Sequence, residues 1–210
     1  MYKTILKKGK AEIEIKKSIF IGRAFFVKSE NKALEILKDI KEIERSATHN
    51  CHAYIIGEDG LTQRYSDDGE PSGTAGVPML EVLKKEDMRN VLVIVTRYFG
   101  GTKLGAGGLV RAYTDAVVKA LDDAKRCVRQ NFTRTKIIYD YTFHGAIINL
   151  LANENFKIIK ENYTDKVEVT IDISDDKSIL DKIRDLTSAN FISEDLEEIE
   201  LPTIDGKIIY

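Results

Sequence analysis

Apolar and polar positions recur along this chain with periods that mark out its elements. Between Leu6 and Lys28, Ile13 and Ile15 alternate with charged residues, and Ile19-Phe-Ile and Phe25-Phe-Val lie on either side of Gly22. A period of two is the signature of a half-buried strand, so two strands are predicted here, with Gly22 as a break. Ala33, Ile36, Leu37, Ile40 and Ile43 recur at helical spacing, with Ser29 placed to cap the first turn, so a helix is expected through Glu44. His49–Gly57 reads as a strand that pairs back with Leu61–Tyr65 through a Gly-Glu-Asp-Gly turn. Pro78–Lys85 reads as a short helix, and the unbroken apolar run from Val91 as a strand buried on both faces. From Gly107 onward, Leu109, Val110, Tyr113, Ala116, Val117, Ala120 and Leu121 cover most of a helix's girth, which places that helix deep in a domain.

Arg126–Arg134 interrupts this rhythm and is the expected domain boundary. Beyond it the pattern predicts strand (Thr135–Phe143), helix (Ala146–Asn153), strand (Phe156–Asn162), strand (Lys166–Ile173), helix (Lys177–Ser188) and strand (Glu197–Thr203). That is a βαββαβ succession, the ferredoxin-like order. The expectation is an α+β protein of two domains, 1–130 and 131–210.

Charge adds an asymmetry that the net value of −2 conceals. Residues 1–130 carry 23 Lys/Arg against 18 Asp/Glu, whereas 131–210 carry 9 against 16. Only the first domain has the sign that favours nucleic acid; the acidic second suits a protein partner. Two cysteines, Cys51 and Cys127, make no disulfide framework. No run of eighteen apolar residues marks a membrane span, and the first residues lack the apolar core of a signal peptide, so a cytoplasmic setting is expected.

Three segments could carry chemistry. Arg97-Tyr-Phe-Gly-Gly-Thr-Lys-Leu-Gly-Ala-Gly-Gly-Leu-Val-Arg-Ala-Tyr113 holds five glycines and three cations between a strand and a helix. Glycines permit close backbone approach, and a helix start presents unpaired N–H groups and a positive dipole end, so the segment suits an anion such as phosphate. It matches neither Walker A nor the dinucleotide fingerprint, since Ala106-Gly107 follow Gly105 and Val110 stands where a third glycine belongs. The glycines could equally serve close packing of strand and helix; on sequence alone both roles stand.

Ser66-Asp-Asp-Gly-Glu-Pro-Ser-Gly-Thr-Ala-Gly76 supplies three carboxylates, Asp67, Asp68 and Glu70, with the hydroxyls of Ser72 and Thr74. These could meet a divalent cation or act as a base, or an aspartate could cap its own loop amides, the favoured role; no metal is expected. In His49-Asn-Cys-His52, strand alternation puts His49 and Cys51 on one face and Asn50, His52 and Tyr54 on the other. Zinc would need further ligands, and only Cys127 and His144 remain, both in unrelated segments. Cys51 is expected to be a buried structural thiol, and His52 a proton carrier facing the acidic loop.

Together with Thr48-His-Asn-Cys-His-Ala-Tyr54, the two glycine-rich segments resemble the IMPACT/YigZ family in motif, order and spacing. The βαββαβ tail resembles the second domain of its bacterial members. The resemblance implies an N-terminal α/β sandwich similar to the second domain of ribosomal small-subunit protein five. It also implies a C-terminal domain similar to the ferredoxin-like domains of elongation factor G. Eukaryotic members are translational regulators that relieve starvation-kinase signalling, and they use an extra N-terminal RWD domain to contact a kinase activator. This sequence opens directly on the first strand, so neither that partner nor that pathway is expected of it.

The resulting expectation is a non-catalytic translation-associated regulator without a cofactor that binds RNA or the ribosome. Arg97, Lys103 and Arg111 would act with the amides of Gly100, Gly101, Gly105, Gly107 and Gly108 on phosphates, while Tyr98 or Phe99 stacked on bases; core packing is the competing role for Phe99. The alternative is an enzyme for a phosphorylated small molecule, with His52, Asp68 and Glu70 set against the Gly loop and Asp67, Ser72 and Thr74 around the same pocket. Convergence of both loops and His52 in one closed cleft would favour the enzyme; cations spread on an open surface would favour the binding protein.

Overall fold

The computed structural model describes all 210 residues, which divide into two units. Unit 1 comprises Met1–Arg129 with Pro202–Ile209, and unit 2 comprises Gln130–Leu201 with Tyr210.

Unit 1 is built on an antiparallel sheet of β2 (Gly9–Ile15), β3 (Ser18–Phe26), β6 (Val91–Tyr98), β4 (His49–Ile56) and β5 (Thr62–Ser66), in that spatial order. A short β1 (Tyr2–Ile5) pairs with Arg126–Arg129. Helix α1 (Glu30–Ile43) covers one face, where Ala33 and Leu37 bury against Val27, Tyr54, Leu92 and Ile94. Ser29 caps it as expected, accepting from Lys32 N. Helices α2 (Gly76–Lys85) and α3 (Ala106–Ala124) cover the other face, where Met79, Leu83, Ala112 and Ala116 meet Phe20, Val93 and Val95. The central strand β6 is thus apolar on both sides because helices lie on both. Each fully buried Leu, Ile or Phe there stabilises the unit by about 1.5–3 kcal/mol.

Gly22 does not break a strand: β3 runs through it. Its missing side chain serves packing instead, since a Cβ there would lie 2.2 Å from the Ala116 carbonyl oxygen, and one at Gly9 would lie 2.1 Å from that of Ala120. The alanine stripe of α3 therefore rests directly on the backbone of β2 and β3.

Arg126–Arg134, within which the two units divide, is likewise no break in secondary structure. It forms the first part of β7 (Arg126–Tyr139), a fourteen-residue strand. Unit 2 continues through a short 3₁₀ turn (Tyr141–Phe143), α4 (His144–Asn153), β8 (Lys160–Tyr163), β9 (Val167–Ile173), α5 (Ser178–Thr187) and β10 (Phe191–Ile204). Its strands order as β10-β7-β9-β8. The helices bury Ile147, Leu151, Ile179 and Ile183 against Ile137, Tyr139, Val169 and Ile171. The chain ends in β11 (Lys207–Ile208), which pairs with Thr203–Ile204 within unit 1.

Candidate functional site

The site forms where β4 starts and β6 ends, on the α2–α3 face of unit 1. His49 and Arg97 are cross-strand partners in the β4–β6 ladder. Arg97 shares its face with Val93 and Val95, so its guanidinium is drawn inward and only 5% of the residue is exposed. A buried cation needs a partner. Arg97 Nη1 donates to Glu70 Oε1 at 2.7 Å, and Tyr113 OH from α3 donates to the same oxygen at 2.7 Å. The guanidinium also stands over the rings of Phe20 and Phe99. Arg97 is therefore not presented to an external phosphate backbone as expected; it is neutralised within the fold.

The acidic loop is organised mainly by its own backbone. Asp67 accepts from Gly73 N, Ala75 N and Gly76 N at 2.8–3.0 Å and so anchors the start of α2. Burial pushes its carboxyl up, but these N–H bonds outweigh burial and leave it below the ordinary range. Asp68 accepts from Lys41 Nζ at 2.7 Å and Asn50 N at 2.8 Å; burial raises its carboxyl too, and those donors bring it below the ordinary range. Thr74 turns its hydroxyl onto the Pro71 carbonyl, and Ser72 is exposed. Cys51 donates its thiol to the Asp67 carbonyl at 2.9 Å; burial pushes the thiol up to about 12, which keeps it an inert structural group.

The expected trio of His52, Asp68 and Glu70 does not assemble. His52 faces the α1 side beside Asp68 and Lys41, and stacks on Tyr54. Burial, then the Lys41 charge, lowers its pKa despite Asp68, so it is neutral at physiological pH. Glu70 lies through the sheet on the other side, where its histidine neighbour is His49, with Nε2 3.8 Å from Oε2. The strand alternation of β4 thus sets His49 on the side of Glu70 and His52 on the opposite one.

What does converge is a cleft of about 360 Å³ lined by Thr48, His49, Glu70, Arg97, Phe99 and Lys103, with the start of α3. Gly105, in the left-handed region at φ +74°, turns the chain into α3, whose first turn has no side-chain cap. A Cβ at Gly107 would meet nothing within 4 Å, so no packing demand explains that glycine, whereas Gly108 lies close to the Leu104 side chain. Gly100 packs on the Lys17 backbone, and Gly101 takes φ +84° in the exposed turn. Lys103 and Arg111 are exposed, and so is Phe99, at 47%. Tyr98 points away, its hydroxyl donating to Glu44 on the α1 side at 2.5 Å. No cluster of three His, Cys, Asp or Glu side chains is arranged to hold a metal ion.

Two neighbours of Glu70, His49 in the cleft and the buried Tyr113 behind it, have roles that the sequence reading does not assign. For His49 the signal existed: alternation put it on the face of Cys51, which is the face of the α3 helix. Tyr113 reads as one more apolar position of α3, and only the packed structure shows its hydroxyl on Glu70.

This two-unit α+β architecture with its glycine-framed cleft has clear relatives. The Impact N-terminal domain family matches residues 16–121, and a domain of unknown function (DUF1949) matches residues 137–190. IMPACT family member YvyE of Bacillus subtilis is 46% identical over 167 residues, 80% of this chain and 77% of its own. IMPACT family member YigZ of Escherichia coli is 35% identical over 152 residues, 71% of this chain and 74% of its own. A crystal structure of a hypothetical protein superposes with a TM-score of 0.60 at 29% identity, covering 93% of this chain and 97% of that one. The chain belongs to the IMPACT family.

Proposed function

We propose that this protein is a non-catalytic regulator associated with translation in the cytoplasm, binding RNA on the ribosome through the start of α3. The observation that carries the reading is the first turn of α3. It is uncapped, glycine-rich and exposed, and stands beside the free cations Lys103 and Arg111 and the open ring of Phe99. Amides and dipole would hold a phosphate of the RNA, the cations would add sequence-independent attraction, and the ring would stack on an unpaired base. The translational role is what membership of the family implies.

Residues 1–130 serve in this reading as the IMPACT-type RNA-binding domain, and their α/β sandwich is likened to the second domain of ribosomal small-subunit protein five. The strand order β10-β7-β9-β8 supports a ferredoxin-like reading of the second domain, whose acidic surface suits a basic protein partner.

Ribosome co-sedimentation across a salt series tests this. Binding should weaken steeply with salt, and Lys103→Glu with Arg111→Glu should lower the log–log salt slope by about two. Arg97 is left intact in that variant because reversing a buried, paired charge would unfold the unit. Binding that ignores salt, or a double variant that pellets like the native chain, would refute the reading.

A further inference from the structure

The cleft itself carries more than the outer surface of α3 requires. Its volume of about 360 Å³ lies in the range of small-molecule sites, which run from about 300 to 1,000 Å³. Its walls divide by chemistry. Pro71, Phe99 and Leu104 offer an apolar side, while His49, Lys103 and the α3 start form a polar one.

His49 is held in a defined orientation. Its Nδ1 lies 2.9 Å from the Asp68 carbonyl oxygen, which can only accept, so Nδ1 donates there and Nε2 is the nitrogen left for a ligand. At 3.8 Å from Glu70, Nε2 makes no hydrogen bond. Glu70 is occupied: one of its oxygens already accepts from both Arg97 and Tyr113, and Arg97 cancels its charge. Arg97 is held in turn with a side chain only 6% exposed, and its Nε–H is buried without an acceptor. The polar wall thus has unsatisfied hydrogen-bonding capacity: a ring nitrogen without a partner, an unpaired guanidinium N–H behind it, uncapped amides and a lysine.

A phosphomonoester matches that wall better than a backbone diester does. It carries up to two charges and a proton that leaves near pH 6, whereas a diester has one charge and no such proton. We propose that the cleft binds a phosphomonoester, its phosphate on the α3 amides and Lys103 and sharing a proton with His49 Nε2, its organic body against Phe99 and Leu104. The inference rests on the anion-binding reading of the α3 start and narrows its ligand to a terminal phosphate, whether of a free nucleotide or of an RNA end.

An amide NMR titration of the full chain tests it, using 5′-AMP, inorganic phosphate, adenosine and the diester ApA. Saturable shifts of the Ala106, Gly107 and Gly108 amides are expected with 5′-AMP and with phosphate, and binding of adenosine and ApA about tenfold weaker or worse. Lys103→Glu, an exposed change that spares the fold, should weaken 5′-AMP by about tenfold, and His49→Gln should erase the preference for 5′-AMP over ApA. Equal binding of ApA and 5′-AMP, or no saturable shift at these amides, overturns the proposal. If that failure accompanies salt-sensitive ribosome binding, the monoester inference alone falls; if ribosome binding is absent as well, the reading beneath it falls too. A 5′-phosphorylated oligoribonucleotide run in parallel separates the two sources, because the tighter of it and 5′-AMP names the ligand and either result upholds the site.

Discussion

Two glycines of unit 1 make opposite demands on a methyl group. At Gly107 a Cβ meets nothing and the backbone is helical, so Gly107→Ala should stabilise the protein by about 0.5–1 kcal/mol through helix propensity and chain entropy. If the α3 amides hold phosphate, the same variant should bind ribosomes more weakly while melting higher in calorimetry; equal binding would show that the glycine is dispensable to the site. Asp67 is a second residue-scale test. Its folded pKa is depressed by three backbone donors, so it contributes stability above its unfolded value of about 4, and that contribution is lost as pH falls through the lower folded value. Asp67→Asn should cost about 1–3 kcal/mol at neutral pH and flatten the decline in urea stability between about pH 5 and 2. An unchanged acid profile would show that its bonds add nothing. The capping role of this aspartate was legible from its Gly-rich surroundings. Its partners were not, because Gly73, Ala75 and Gly76 reach it only once the loop closes.

At the scale of elements, periodicity carried most of the information. The α1 cap and stripe, the doubly buried β6 and the apolar girth of α3 all follow from local spacing, since burial of one face is written directly into the order of residues. Glycine was misread where its reason was non-local. Gly22 resembles a strand break in sequence, yet it is the contact point of α3, with Ala116 nearly on top of it. Gly22→Ala should therefore destabilise at the upper end of the overpacking range, about 1–3 kcal/mol, in chemical denaturation. A neutral result would mean that α3 can shift away from the sheet. The stretch from Arg126 read as an interruption of the pattern because its charges hide the alternation; pairing with β1 makes it strand.

For the whole molecule, the last residues matter to the first unit. Thr203 is buried and its hydroxyl donates to the Val128 carbonyl at 3.0 Å, and Pro202–Ile209 group with Met1–Arg129. Ending the chain after Leu201 should lower the calorimetric midpoint of unit 1 by about 2–4 °C. An unaltered midpoint would show that the returning segment is passive. No local pattern announced this return, because a strand's spacing shows that it has a buried face but not which sheet completes it.

The sequence by itself determined most of the succession of elements, the α+β class, the charge contrast between the two halves and the family, each of which depends on residues near one another in the chain or on the motifs they form. The tertiary structure decided which charges are available. Arg97, the first cation of the glycine segment, is withdrawn because β6 faces it inward and Glu70 meets it there. His49 replaces His52 beside Glu70 because the β4–β6 register sets it opposite Arg97. Exposure and pairing are properties of neighbours, and these neighbours come from strands and loops far apart in the chain, so no local spacing could assign them.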